Sequence, residues 1–294
     1  SLGITAHHTN NYHNNPFRLP KEIYPMPIFT KRFVIGGLLA LVAALPLNTL
    51  AGDTLSRVVD FRVLKVGMSG TQPPMNVVNR DGALMGMDVD LAKGLAAAMR
   101  VQLEIKEMPF GELMEALEND KVDMVISGMS ITPERTEMAY FVGPYMVSGK
   151  SILTKDSVLA ERSSMEEFNR DDLKLAALQN STSASFVSTV APQASLVEIT
   201  NYDEGIKMLR EDKIDAMVAD MPICQLSVLR YPDAGFVTLE RPMTIEPIGI
   251  AISKDDPQFL NLVQNYLDGF GKLGIMTKLQ ERWFEDGSWI AALP

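Results

Sequence analysis

An α/β protein built as two similar lobes is what this sequence predicts, and three observations predict it. First, DKVDMVISG at 120–128 has a near copy, DKIDAMVAD, at 212–220, and each follows a helix-like run, GELMEALEN or DEGIKMLRE. Second, short apolar stretches alternate with helical patterns of about 10 to 15 residues, the arrangement that builds parallel sheets. Third, the alternation restarts after one polar stretch, KDSVLAERSSMEEFNRDD (155–172), which reads as irregular. Two lobes of about 100 residues each follow, a common domain size.

In the first lobe, Val59–Met68 (VDFRVLKVGM) reads as a strand and SGTQPPMNVVNRDG (69–82) as a loop, with turn residues at Pro73, Pro74 and Asp81-Gly82. MDVDLAKGLAAAM (87–99) puts Val89, Leu91, Leu95, Ala98 and Met99 on a helix face, with Asp88 as N-cap. VQLEIKEM alternates as a second strand, PFGELMEALEN is a helix opened by Pro109, and VDMVIS is a third strand. In the second lobe LKLAAL, SLVEIT and IDAMVA read as strands, with STSASFVSTVA and NYDEGIKMLRED as the helices between them. PIGIAIS (247–253) is a further strand, and helices are expected over 256–270 and 275–284.

Ahead of the lobes, Lys31 and Arg32 precede the uncharged run FVIGGLLALVAALPL (33–47), then Thr49-Leu50-Ala51. Basic residues, an apolar run of about 15 and small residues near a cut site describe a secretory signal peptide. A membrane span needs about 20 apolar residues. Cleavage is therefore expected after Ala51, with Met26 as the start and residues 1–25 an upstream extension. Removing residues 1–51 takes four of the 27 basic residues (Arg18, Lys21, Lys31, Arg32) and one of the 37 acids (Glu22). That leaves 23 against 36, a net charge of −13. An acidic chain without basic runs argues against nucleic acid and anionic membrane as partners.

All three histidines (His7, His8, His13) fall in the removed segment, and Cys224 is the sole cysteine. Ser-His-Asp and Cys-His catalysis and His- or Cys-cluster zinc sites are thereby excluded. No metal or cofactor is expected.

Ligands of parallel α/β sheets bind beyond the carboxyl ends of the strands. The first repeat ends in Ser127-Gly128 and runs through MSITPER to Arg135; the second ends in Asp220. Across a cleft, a guanidinium fork would match a carboxylate and an acid would match an ammonium, so a small zwitterion would satisfy both. Each residue also has a plainer reading. Asp220 precedes MPICQLSVL and would cap that helix, and Arg135 would be a solvated residue of a helix's first turns. Ser181, Thr182 and Ser183 stand at a strand-to-helix junction, where free N–H groups offer an anion site or hydroxyls simply cap the helix.

The motifs GMSGTQPPMNVVNRDGALMGMDVDLA, DKVDMVISGMSITPER, FVGPY, LQNST and DAMVAD resemble those of the family 3 extracellular solute-binding proteins, the polar-amino-acid receptors of ABC importers, over about residues 58–286. The resemblance implies a two-lobed clamp, each lobe a mainly parallel sheet flanked by helices, with hinges near Val147–Ile152 and Thr244–Ile250. It divides the chain into lobe 1 (52–147 and 251–294) and lobe 2 (148–250). It implies that Arg135, with Ser127, Gly128 and Ser130, holds an α-carboxylate, aided by Thr182 and Ser181, while Asp220 holds the α-ammonium and Phe110 stacks on the ligand's side chain. Ser69, Gln72 and Met75 would line the side-chain pocket. An acid found at Ser69 in receptors for basic amino acids is absent, an aromatic is common at Gln72, Phe is common at Met75, glycine is common at Asn180 and threonine at Ser181. The implied partners are an amino-acid-like ligand and a membrane permease, and the implied setting is periplasmic, for a protein expected to be monomeric. Two rivals stand beside this reading. One is a cyclohexadienyl-dehydratase-like enzyme on the same clamp, with Glu107 or Glu112 as the available acids. The other is a sensing module for a membrane partner.

Overall fold

The computed structural model describes residues 53–161 and 165–294, so the upstream extension and signal peptide expected over 1–51 lie outside the described residues. The chain enters through α1 (Asp53–Phe61) and β1 (Val63–Met68), then an antiparallel meander of β2 (Thr71–Gln72), β3 (Asn76–Val78) and β4 (Leu84–Met85). Next come α2 (Met87–Met99), β5 (Gln102–Glu107), α3 (Leu113–Glu118), β6 (Met124–Val125), α4 (Pro133–Met138) and β7 (Tyr140–Ser148). β8 (Lys150–Thr154), α5 (Ser157–Ala160), β9 (Lys174–Leu178), α6 (Thr182–Val190), β10 (Ser195–Ile199), α7 (Tyr202–Arg210), β11 (Ala216–Asp220), α8 (Met221–Arg230) and β12 (Val237–Thr238) build the second half. The chain returns in β13 (Glu246–Ile252) and closes with α9 (Pro257–Lys272), α10 (Ile275–Gln280) and a last turn over Gly287–Ala292.

Two five-stranded sheets result, ordered β5-β1-β6-β13-β7 and β10-β9-β11-β8-β12. In each, four strands run one way and the fourth in the order, β13 or β8, runs against them. The two lobes thus share one plan, and their opposed strands are the ones that carry the chain across. β7 passes to β8 through Gly149, and β12 returns to β13 through residues 239–245. The crossings lie against each other: Lys150 N donates to Thr244 Oγ1 at 2.9 Å and Met243 N to Lys150 O at 2.8 Å. A Cβ on Gly149 would sit 2.0 Å from Thr244 O, so this position excludes any side chain.

The repeated sequence folds into a repeated structure. Asp120 (φ 53°) and Asp212 (φ 55°) turn the chain out of α3 and α7 in the left-handed region. The following lysine closes each helix, Lys121 N onto Ala116 O and Lys213 N onto Met208 O, both 2.9 Å. Asp123 and Asp215 then each exchange two bonds with the parallel neighbour. Their N–H groups donate to Lys65 O and Lys174 O, and their carboxylates accept from Lys65 N and Lys174 N at 2.7 Å. An acid stands in each apolar run because it fixes the register of the strand pair.

Several elements differ from the sequence reading. Residues 59–61 end α1 rather than begin a strand, because the helix buries Thr54 and Val58 on one side and stops at Arg62 (φ 53°). Asp88 does not cap α2. Gly86 holds the cap position at φ 134°, where a Cβ would lie 2.2 Å from Met75 O, and Asp88 sits buried in the first turn. Within the stretch read as irregular (155–172), Ser157–Ala160 form the single turn α5, whose first N–H groups are capped by Asp156 Oδ1.

The last residues touch both lobes. Arg80, between β3 and β4, donates from N to Ala292 O (3.0 Å) and from Nε to Leu293 O (2.6 Å). Arg230, at the end of α8, donates from Nη2 to Pro294 O (2.7 Å). Val77, Leu226 and Leu293 pack together between these bonds.

Candidate functional site

The carboxyl ends of β1 and β6 and the meander carry a buried polar network. Ser69 N donates to Ser127 Oγ (3.0 Å) and Ser69 Oγ to Asn76 Oδ1 (3.0 Å), while Gln72 Nε2 donates to Ser69 Oγ (2.9 Å) and Ser127 O (3.2 Å). Beneath it lies Asp88. Oδ2 accepts from Asn76 Nδ2 (2.8 Å) and Gly128 N (2.9 Å), and Oδ1 accepts from the Tyr145 hydroxyl (2.7 Å). Burial pushes the Asp88 carboxyl up to about 6, against the pull of these three donors. The Gly128 N–H, expected to face a ligand, is therefore engaged by Asp88. Ser127 likewise supports the loop rather than standing free in it.

Arg135 projects from α4, whose N-cap Thr132 accepts from Arg135 N. It is not a solvated surface residue. Nη1 donates to Ser130 O (3.0 Å), Nη2 reaches Asn180 O in the other lobe (3.4 Å), and the guanidinium lies 5.6 Å from the centre of the Phe110 ring. Burial lowers its pKa, and the Glu246 and Asp220 carboxylates partly restore it. Asn180 adopts φ 57°, a conformation that suits glycine or asparagine, and its amide lies so near that a Cβ on Gly111 would meet Nδ2 at 2.4 Å. The lobes are in contact here, which is a closed arrangement of the cleft.

At the junction before α6, Ser181 does the capping: its Oγ accepts from Ala184 N (3.2 Å) and donates to Leu178 O (2.5 Å). Thr182 faces the cleft instead. Its hydroxyl is 3.4 Å from Ser130 Oγ and donates to Glu246 Oε2 at 3.2 Å.

Asp220 occupies the N-cap position of α8, yet its side chain makes no capping bond. Oδ1 accepts from Lys150 Nζ at 2.6 Å. Lys150 is 1% exposed, and its ammonium also lies 3.5 Å from Glu246 Oε2. Neither Lys150 nor Glu246 was anticipated. Each opens one of the two crossing strands, and KSILT is buried along its whole length in spite of its lysine. Tyr202, at the start of α7, is a further addition. It is buried, and burial, joined by the nearby Asp220 charge, raises its hydroxyl well above the ordinary range.

Polar contacts now connect the two ends. Arg135 bonds Ser130, Ser130 meets Thr182, Thr182 bonds Glu246, and Lys150 joins Glu246 to Asp220. Glu107 and Glu112 are exposed. Among the described residues no group of three or more His, Cys, Asp or Glu could hold a metal ion.

Two α/β lobes closed on a buried cleft of paired charges define a ligand-binding clamp. The chain belongs to the bacterial extracellular solute-binding proteins, family 3, whose model matches residues 64–286. It is 26% identical over 247 residues to the ABC transporter arginine-binding protein 1 of Escherichia coli, covering 83% of this chain and 97% of that one. It is 25% identical to the cyclohexadienyl dehydratase of Pseudomonas aeruginosa, over 84% of this chain and 91% of the enzyme. Among solved structures, an ancestral amino-acid-binding protein, a precursor of cyclohexadienyl dehydratase, superposes with a TM-score of 0.72 at 34% identity, covering 79% of this chain and 99% of that one.

Proposed function

We propose that this protein is an extracytoplasmic receptor that captures an amino acid by lobe closure and delivers it to an ABC importer. The observation that carries the reading is the placement of Arg135 and Asp220 on opposite lobes, joined through Ser130, Thr182, Glu246 and Lys150. Arg135 holds the α-carboxylate, with the Ser130 and Thr182 hydroxyls beside it. Asp220 Oδ1 is taken by Lys150, so the α-ammonium is received at Oδ2. A ligand that bridges both lobes binds the closed form better than the open one and shifts the population toward it. Closing removes water, which strengthens both charge contacts. A division into lobe 1 (52–147 and 251–294) and lobe 2 (148–250) is the hinge arrangement that goes with this reading, and periplasmic export as a monomer goes with it too.

The related dehydratase makes an enzyme the alternative. Glu107 and Glu112 are exposed rather than buried among the paired charges, which weighs against either as its acid. Thermal melting against the common amino acids and prephenate separates the two readings. Binding stabilises the folded state by mass action, so a rise in Tm with one or a few amino acids, lost in Arg135→Ala and Asp220→Ala, is the expected result. A rise with prephenate alone, accompanied by its turnover, would overturn it.

A further inference from the structure

Building on the amino-acid reading of the cleft, we infer that Lys150 is a specificity-determining residue that bars cationic side chains, so that the ligand is an amino acid with an uncharged side chain. Lys150 is buried, and its ammonium lies against both acids that face Arg135, 2.6 Å from Asp220 Oδ1 and 3.5 Å from Glu246 Oε2. Arg135 and Lys150 balance Asp220 and Glu246, so the four side chains sum to zero charge. A ligand with one ammonium and one carboxylate leaves that balance unchanged. A lysine or arginine ligand would add a third cation to two acids already engaged by Lys150.

Among the described residues named for the pocket, none offers such a cation an unengaged buried acid. Asp88 is a further buried acid beside the pocket, and both of its oxygens are engaged, by Tyr145 on one and by Asn76 and Gly128 on the other. Ser69 and Gln72 present neutral, buried polar groups, and Phe110 and Met75 present apolar ones. Lys150 thus occupies the carboxylates with an internal ammonium, the chemistry that a cationic ligand would otherwise bring. It opens the crossing strand β8, directly after Gly149, so its position is fixed by the hinge backbone rather than by a loop.

The test is calorimetric titration of the full-length protein with glutamine, leucine, arginine and lysine, for the wild type and for Lys150→Met. The wild type is expected to bind an uncharged amino acid and to reject arginine and lysine. In Lys150→Met the affinity for arginine or lysine relative to the uncharged ligand should rise by about 100-fold, the factor that a like charge about 6 Å away imposes at an effective dielectric of about 20. Lys150→Met leaves two acids facing each other, so Lys150→Gln, which keeps a hydrogen-bond donor between them, serves where Lys150→Met does not fold. Its expected rise is similar, because it removes the same charge. A wild type that binds arginine as tightly as an uncharged amino acid overturns the inference. So does an unchanged ratio in the variants. A wild type that binds no amino acid at all overturns the underlying reading as well, and the wild-type titration alone identifies that case.

Discussion

Tyr145→Phe tests the buried network by removing one donor and nothing else. Asp88 is fully buried and accepts from Tyr145, Asn76 and Gly128; the tyrosine bond, at 2.7 Å, is the shortest of the three. Desolvation dominates, raising the carboxyl from 3.8 to about 6. A carboxyl whose folded pKa lies above its unfolded value contributes stability at low pH and loses it as pH rises through the folded pKa. From this group that loss falls between about pH 4 and pH 6 and amounts to roughly 3 kcal/mol. Tyr145 limits it, because its hydroxyl stabilises the ionised form. In Tyr145→Phe the Asp88 pKa moves further up, and the cost of the substitution depends on pH. Above the shifted pKa the lost bond is charge-assisted, about 1.5–3 kcal/mol; below it the bond is between neutral groups, about 0.5–1.5 kcal/mol. Urea unfolding of both proteins at about pH 8 and about pH 5 measures the difference. A destabilisation that is equal at the two pH values would refute the argument, since it would mean that Tyr145 contributes packing rather than a bond to a carboxylate.

Three further outcomes follow from the geometry. Gly149→Ala should cost at least about 3 kcal/mol, because its Cβ would overlap Thr244 O at the crossing; thermal melting reads it, and a neutral result would disprove the close approach. Asp123→Ala should destabilise more than Asp215→Ala although the two occupy matched places in the repeat. Asp123 is buried and also pairs with Arg57 at 2.6 Å, for about 2–3 kcal/mol in all, whereas Asp215 is exposed and loses about 1 kcal/mol; urea midpoints decide between unequal and equal costs. Asn180→Ala should lose about 1 kcal/mol and Asn180→Gly little, since the position is left-handed (φ 57°); equal losses in the two variants by calorimetry would show that the amide contact matters more than the backbone.

The repeat was legible because it is written locally. A helix, a left-handed turn and a strand occupy adjacent residues, and DKVD and DKID keep the same polar positions. The two candidate ends of the cleft were legible because Asp220 ends one repeated strand and Arg135 follows the other through the MSITPER run. What lies between them was not. Lys150 meets Asp220 across 70 positions, and Thr182 meets Glu246 across 64. No periodicity in one segment encodes a partner so far away. A lysine normally signals a solvated face, so KSILT hid a strand buried along its whole length. The helix α1 was missed for a related reason: its apolar residues run directly into β1, and only the left-handed Arg62 separates the two. Gln72 and Ser69 were placed at the pocket from the resemblance, but their role in holding one another appears only once the meander folds over β6.

The C-terminal turn gives this clamp a third tether. Two strands join the lobes at the hinge, while Leu293 and Pro294 are tied to Arg80 on one lobe and Arg230 on the other. A hinge rotation that parts the lobes cannot keep both attachments, so opening must peel the tail from one side and expose Val77 or Leu226 to water. The tail is therefore a third link between the lobes, and its bonds and apolar contact count toward the free energy of the closed arrangement.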